Sequence, residues 1–146
     1  MNLERYQLIT NEATLTFEFI SKGPKGHITK WIRYVKFDDE NIYNLGFGDK
    51  KDNEDDFDDE VVTDNKDSQK VLATVAISVL QFTENRRDTW VFATGSTKSR
   101  TRLYQIGIAQ NLVELRRYFY IYGLIINKWV KFEKNISYDA FLVKRK

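Results

Sequence analysis

Residues 14–37 read TLTFEFISKGPKGHITKWIRYVKF, and the reading of this stretch decides the fold. Residues 14–21 alternate, with Leu15, Phe17 and Phe19 on one side and Thr16 and Glu18 on the other. That period of two marks a half-buried strand. Residues 22–26, KGPKG, bring Gly23, Pro24 and Gly26 together, the residues that supply tight-turn backbone angles. Residues 27–37 are rich in β-branched and aromatic side chains and read as a second strand. Strand, turn and strand form an antiparallel hairpin, and IYNLGFG at 42–48 adds a third strand.

Beyond the hairpin, residues 49–60 read DKKDNEDDFDDE, with Phe57 the one large apolar residue. No apolar face means nothing to anchor, so an acidic mobile loop is expected at about 49–66. The segment does not fit a calcium-binding EF-hand loop. Glu60 falls at the twelfth place, but Lys51 holds the third and Glu54 the sixth, where the turn needs glycine.

From an N-cap at Asp67 or Ser68, the residues Val71, Leu72, Val75, Ala76, Val79 and Leu80 recur at helical spacing through about Glu84. DTWVFAT at 88–94 is a short strand. A second helix begins between Ser96 and Ser99 and runs to about Arg117, and Gly107 inside it marks a close helix contact. RYFYIYGLII (117–126) and KWVKF (128–132) flank a turn at Asn127–Lys128, and SYDAFLVKRK (137–146) closes the chain as a strand. The order ββ(β)–α–β–α–βββ defines an α+β class. The expectation is one domain over 1–146, a mostly antiparallel sheet of about six strands with two helices packed on it. Its core is expected to hold Phe17, Phe19, Val75, Val79, Trp90, Phe92, Leu112 and Leu115.

The chain has 146 residues, 42% hydrophobic and 14% aromatic, enough for a core without covalent staples. It has no cysteine. This excludes disulfides, thiolate metal sites and thiol nucleophiles, and favours a reducing compartment. The opening MNLERYQLITNE carries charges where an export signal needs an apolar run. The apolar stretches VLATVAISVL and YFYIYGLII are too short to span a bilayer. A cytoplasmic protein without a membrane partner is the expectation. The net charge of +2 conceals a division: residues 38–67 hold 13 acidic residues and 3 lysines, and the remainder holds 20 basic and 8 acidic ones. A basic body carrying an acidic segment points to a polyanion partner, or to two parts that neutralise each other.

One stretch concentrates candidate chemistry: ATGSTKSRTRLYQIGI, residues 93–108. A strand turning into a helix here leaves backbone N–H groups free to hold an anion. The candidate ligand-binding residues are Thr94, Gly95, Ser96, Thr97, Lys98, Arg100, Arg102 and Tyr104. Gly95 lets a ligand approach the backbone, Ser96 and Thr97 donate to phosphate oxygens, and the three cations add charge. At 100° per residue Lys98 and Arg102 share a face, and Arg100 points nearly away. Basic residues in a first turn oppose the helix dipole, which argues for an anion among them. The structural alternative is that Ser96 or Thr97 simply caps the helix. The stretch is neither a Walker A loop nor a GxSxG elbow. His27, the one histidine, reads as a surface residue of the hairpin, and alone it builds no metal site. KWIRYVKF (30–37) and RRYFYIYG (116–123) interleave rings with cations. On an exposed sheet face that pattern suits single-stranded nucleic acid, but neither face of the strand is clean and no RRM signature is present. Core aromatics are the reading adopted.

The blocks MNLERYQLITNE, YNLGFGD, KVLATVA, ATGSTKSRTRLYQIGI, IYGL and YDAFLVKRK resemble a family of bacterial proteins, mainly from Bacteroidota, known only as a domain of unknown function. The resemblance spans nearly the whole chain, least so the acidic segment. It implies a small, single-domain, cytoplasmic bacterial protein and transfers no catalytic residue. The expected function is a binding module for a phosphate-bearing ligand, nucleic acid or nucleotide, at residues 94–104. The alternative is a small enzyme acting on RNA or a nucleotide, such as the toxin of a toxin–antitoxin pair. In it Arg100, Arg102 and Tyr104 would clamp phosphate and His27 would move protons. A domain that binds another protein is the further alternative. No cofactor and no metal are expected.

Overall fold

The structure, a computed structural model, describes residues 3–60 and 63–146. The hairpin read from residues 14–37 is its centre. Strand β2 (Thr16–Gly23) pairs antiparallel with β3 (Gly26–Lys36), from Thr16↔Arg33 to Gly23↔Gly26. The turn closes on Gly26, whose φ of +87° disfavours any side chain. Strand β1 (Ile9–Asn11) lies on the outer edge of β2, and β4 (Ile42–Lys50) pairs with β3 on its other side. Leu15 belongs to the turn before β2 rather than to the strand, since its φ is +51°.

Helix α1 (Ser68–Thr83) carries the chain over to β6 (Trp90–Ala93), which returns parallel to β4. Helices α2 (Lys98–Gln110) and α3 (Leu112–Tyr118) lead to the hairpin of β7 (Phe119–Ile125) and β8 (Lys128–Lys131). The final strand, β9 (Ala140–Arg145), inserts between β6 and β7. The order is β1-β2-β3-β4-β6-β9-β7-β8, and the two-residue β5 (Phe57–Asp58) pairs with β4. The class is α+β, and every pairing except β4–β6 is antiparallel.

The described residues form nine strands and three helices, not about six and two. The added strands β1 and β5 are too short to show a period. The expected helix to Arg117 breaks at Asn111, which leaves the helical region (φ −112°, ψ 18°) while its amide donates to the Gly107 carbonyl at 2.9 Å. The β7–β8 turn sits one residue earlier than expected. Ile126 and Asn127 occupy it at φ 50° and 58°, the sign pattern of a type I′ turn.

The helices cover one sheet face. Val71, Val75, Val79 and Phe82 of α1 pack with Phe17, Phe19, Ile32, Tyr34, Phe47 and Val91 from the strands. Tyr34 stacks on Phe82 at 4.0 Å between centroids, and its hydroxyl and that of Ser78 lie 2.8 Å apart. Gly107 does mark a close helix contact, since a Cβ there would stand 3.1 Å from Leu72. Phe17, Phe19, Val75, Val79, Leu112 and Leu115 are buried as expected. Trp90 and Phe92 are not. Strand β6 turns Val91 inward, at 1% exposure, and leaves both rings half-buried on the other face.

The acidic segment also differs from the expectation that nothing in it could anchor. Asp49 belongs to β4, and its carboxylate accepts from the buried Lys30 ammonium and from the Thr63 hydroxyl at 2.6 Å. A buried lysine needs such a partner. Asn65, 1% exposed, donates to the Gly26 carbonyl at 2.9 Å and accepts from the Lys25 N–H at 2.7 Å. The segment is therefore tied down on both sides of its acidic run. Residues 61 and 62 of the expected loop lie outside the described residues.

Candidate nucleic-acid interface

The turn between β6 and α2 is closely bonded within the chain. The Thr94 hydroxyl donates to the Asp139 carbonyl at 2.9 Å, and the Gly95 N–H donates to the Thr101 hydroxyl at 3.0 Å. A Cβ on Gly95 would collide with the first turn of α2 at Arg100 and Thr101, so a glycine here serves the approach of backbone to helix. Thr97 is the N-cap, its hydroxyl accepting from the Arg100 N–H at 3.2 Å. Ser96 donates to the Asp59 carbonyl at 2.9 Å.

Arg100 points inward and is buried, as the helical wheel requires, and Lys98 and Arg102 are exposed. The Arg100 guanidinium donates to the carbonyls of Phe47 and Asp59. Its position has a topological cause. Strand β6 pairs with β4 only from Ile42 to Asn44, and β5 pairs only with Asp49 and Lys50. Between them no strand among the described residues lies along the edge of β4, and Arg100 supplies a donor to the Phe47 carbonyl there. Tyr104 is buried beside it. Burial raises its phenol pKa, against the pull of the Arg100 charge. The predicted residues thus divide. Arg100 and Tyr104 are buried, Thr94, Ser96 and Thr97 are exposed with their hydroxyls bonded within the chain, and Lys98 and Arg102 face solvent.

The face of the sheet opposite the helices holds, among cations, rings that the sequence reading assigned to the core. Alternation along each strand places Trp31, Arg33 and Val35 of β3 there, since Ile32 and Tyr34 are core residues, and Phe37, just past the end of β3, meets Phe92 on the same side. Register carries the pattern across the sheet. Trp90 of β6 is level with Lys144 of β9 and with Tyr120 of β7. The next row reads Phe92, Leu142, Tyr122 and Lys131. The rings touch: Phe37 meets Phe92 at 5.7 Å, Phe92 meets Trp129 at 6.1 Å, and Trp90 meets Tyr122 at 5.8 Å between centroids. The Lys144 ammonium lies 5.6 Å from the Trp90 ring and that of Lys146 lies 5.4 Å from Tyr120, within cation–π range. Tyr120 is 52% exposed, Phe37 42% and Trp129 41%, so this is a surface and not a second core.

The other cavities fit a phosphate less well. A void of about 80 Å³ between the helices and the sheet is lined by apolar side chains such as Leu72, Val75 and Ile108, with no cation among them. A cleft of about 710 Å³ at the start of α1 has Lys22, Lys66 and Lys70 on its walls, but also Glu4 and Asp67. Asp67 stands at the N-cap of α1 without capping it; its carboxylate accepts from the hydroxyls of Tyr6 at 2.7 Å and Ser21 at 2.5 Å. His27 is exposed near the hairpin turn. Among the described residues no group of three or more His, Asp or Glu could hold a metal ion, and no helix is long and apolar enough to cross a membrane.

The fold and site define a small α+β protein with helices on one sheet face and an open face of rings and cations. The chain belongs to DUF6934, a family of unknown function whose profile matches residues 2–146. No curated protein and no solved structure matches it.

Proposed function

We propose that this protein is a binding module for a phosphate-bearing ligand, and that the ligand is single-stranded nucleic acid laid across the open sheet face. The observation that carries the reading is the row of contacting rings with lysines set among them, above all Trp90–Lys144–Tyr120. Unpaired bases stack on exposed rings with roughly 1–3 kcal/mol per base, and sequence matters little because every base has a π-face. Lysines beside the rings neutralise the backbone, and the counterions so released make binding salt-dependent. A duplex hides its base faces, so it gains the charge contacts without the stacking. Lys98 and Arg102, exposed at the start of α2, add to the attracting field.

The test is anisotropy of a labelled single strand, DNA or RNA, titrated with wild-type protein and with Trp90→Ala, Trp129→Ala and Lys144→Ala. Each ring variant is expected to weaken binding by roughly tenfold, the low end of one lost stack. Lys144→Ala is expected to flatten the dependence on salt. Equal affinity for duplex and single strand, unchanged by the ring variants, would place the ligand elsewhere. No salt-dependent affinity for any strand would end the proposal.

A further inference from the structure

The acidic run and the open face are in contact. Residues 51–60 hold seven acidic residues and one lysine, and the run reaches the sheet face at three points. The Asp55 carboxylate lies 3.9 Å from the Arg33 guanidinium, and Arg33 is on the open face because Ile32 and Tyr34 point into the core. The Phe57 ring lies over Gly46, where a Cβ would stand 3.0 Å from it. A Cβ on Gly48 would collide with the Asp58 carbonyl. Gly46 and Gly48 alternate with the core residues Leu45 and Phe47, so their bare side is the open one. The sheet thus leaves two side chains out where the acidic run crosses it.

The place it occupies holds two cations, one carboxylate and a ring: the Trp31 indole, 8% exposed, donates to Glu18 at 2.8 Å. Arg33 and Lys50 stand 5.0 and 5.5 Å from the Trp31 ring. This is the same ring-and-cation pairing found at Trp90 and Lys144, on the same face of the sheet. The hold on the run is uneven. At its far end the Asp59 carbonyl accepts from Arg100 and Ser96. The near part, Asp52 to Asp56, is exposed; Lys51 closes it, its N–H donating to the Asp56 carbonyl at 3.0 Å and its ammonium lying 3.3 Å from the Asp56 carboxylate, and it meets the face through the long Asp55–Arg33 pair.

We propose, resting on the function proposed above, that the acidic run is a built-in competitor of the nucleic acid. It occupies the Trp31–Arg33–Lys50 end of the open face, with the Asp55 carboxylate on Arg33 standing where a phosphate would. A bound strand gains that end only by displacing residues 52–58, which include Phe57 and Asp58 over Gly46 and Gly48, while the anchor at Asp59 keeps the run attached. The competitor lowers affinity for short or weakly charged strands and leaves longer ones to win, which sets a threshold on ligand length.

The test compares three full-length proteins for affinity toward single-stranded oligonucleotides of increasing length. They are wild type, a variant with Asp52→Asn, Glu54→Gln, Asp55→Asn and Asp56→Asn, and a charge-matched control with Glu12→Gln, Glu84→Gln, Asp88→Asn and Glu133→Gln, all exposed positions. Both variants gain the same net charge, so the general field rises equally. The run variant is expected to bind at least tenfold tighter than the control on short strands, with the gap closing as length grows. Gly48→Ala, which dislodges the run without altering charge, is expected to shift affinity the same way. If run variant and control bind equally while wild type also binds, the competitor is overturned and the binding face stands. If none of the three binds, both proposals fall. If only the run variant binds, the competitor is strong and both stand.

Discussion

Replacing Arg100 by alanine separates an architectural arginine from a phosphate-binding one. The structure places its guanidinium on the Phe47 and Asp59 carbonyls, in the gap between β6 and β5 along the edge of β4. Removing it leaves the Phe47 carbonyl without a donor at a site where the residue is 1% exposed. An unsatisfied buried carbonyl costs roughly 1–3 kcal/mol. The Asp59 carbonyl keeps its bond from Ser96, so its loss is smaller, and the vanished arginine stem adds a packing term. The expected total is about 3 kcal/mol. For a chain of this length, at roughly 3 °C per kcal/mol, the melting temperature should fall by about 10 °C. Arg102→Ala, exposed on the same helix, should change stability by less than about 0.5 kcal/mol. Arg100→Lys should recover only part of the loss, because a point charge cannot span two carbonyls as a planar fork does. Thermal unfolding followed by circular dichroism reads all three. An Arg100→Ala protein that melts within about 2 °C of wild type, yet loses nucleic-acid binding, would refute the reasoning and restore the arginine to the ligand.

Three further outcomes follow from the same geometry. Val91→Asn should cost about 3 kcal/mol, because it buries an unpaired amide, and Phe92→Asn about 1 kcal/mol; urea unfolding that ranks them the other way would reverse the assigned faces of β6. Ile126→Asn should stabilise by about 1 kcal/mol, since Ile126 is 83% exposed and its φ of 50° suits asparagine far better than a β-branched residue; a lowered melting temperature would show that the tip is held by something other than turn chemistry. Burial raises the phenol pKa of Tyr34 and Tyr104 above the ordinary 10.0. Their neutral forms therefore favour the fold fully below about pH 10, and stability should fall as pH climbs above it. A urea midpoint that is flat from pH 9 to 11 would contradict that.

The parts of the fold that could be read from sequence are those whose period was long enough to show. The β2–β3 hairpin has eight and eleven residues and a glycine-bearing turn, and α1 has sixteen residues with its apolar stripe. Strand β6 has four residues, all hydrophobic, and four apolar residues without a polar neighbour do not say which side is inside. With Trp90 and Phe92 read as core residues, the ring-and-lysine rows have no surface to sit on. Those rows also depend on β9 inserting between β6 and β7, a long-range order that no local pattern carries. At the candidate turn the wheel correctly turned Arg100 away from Lys98 and Arg102. What it turned toward was a bare stretch of β4, and the sequence near Arg100 holds no trace of that.

The most direct test of the account is a map of backbone and side-chain NMR shifts during titration with a short single-stranded oligonucleotide. The account predicts that the perturbed residues lie on the open sheet face: Trp90, Phe92, Tyr120, Tyr122, Trp129 and Lys144, with the indole N–H signals of Trp90 and Trp129 among the largest shifts. Perturbations confined to Lys98, Ser99 and Arg102 at the start of α2, with those indoles unmoved, would contradict it.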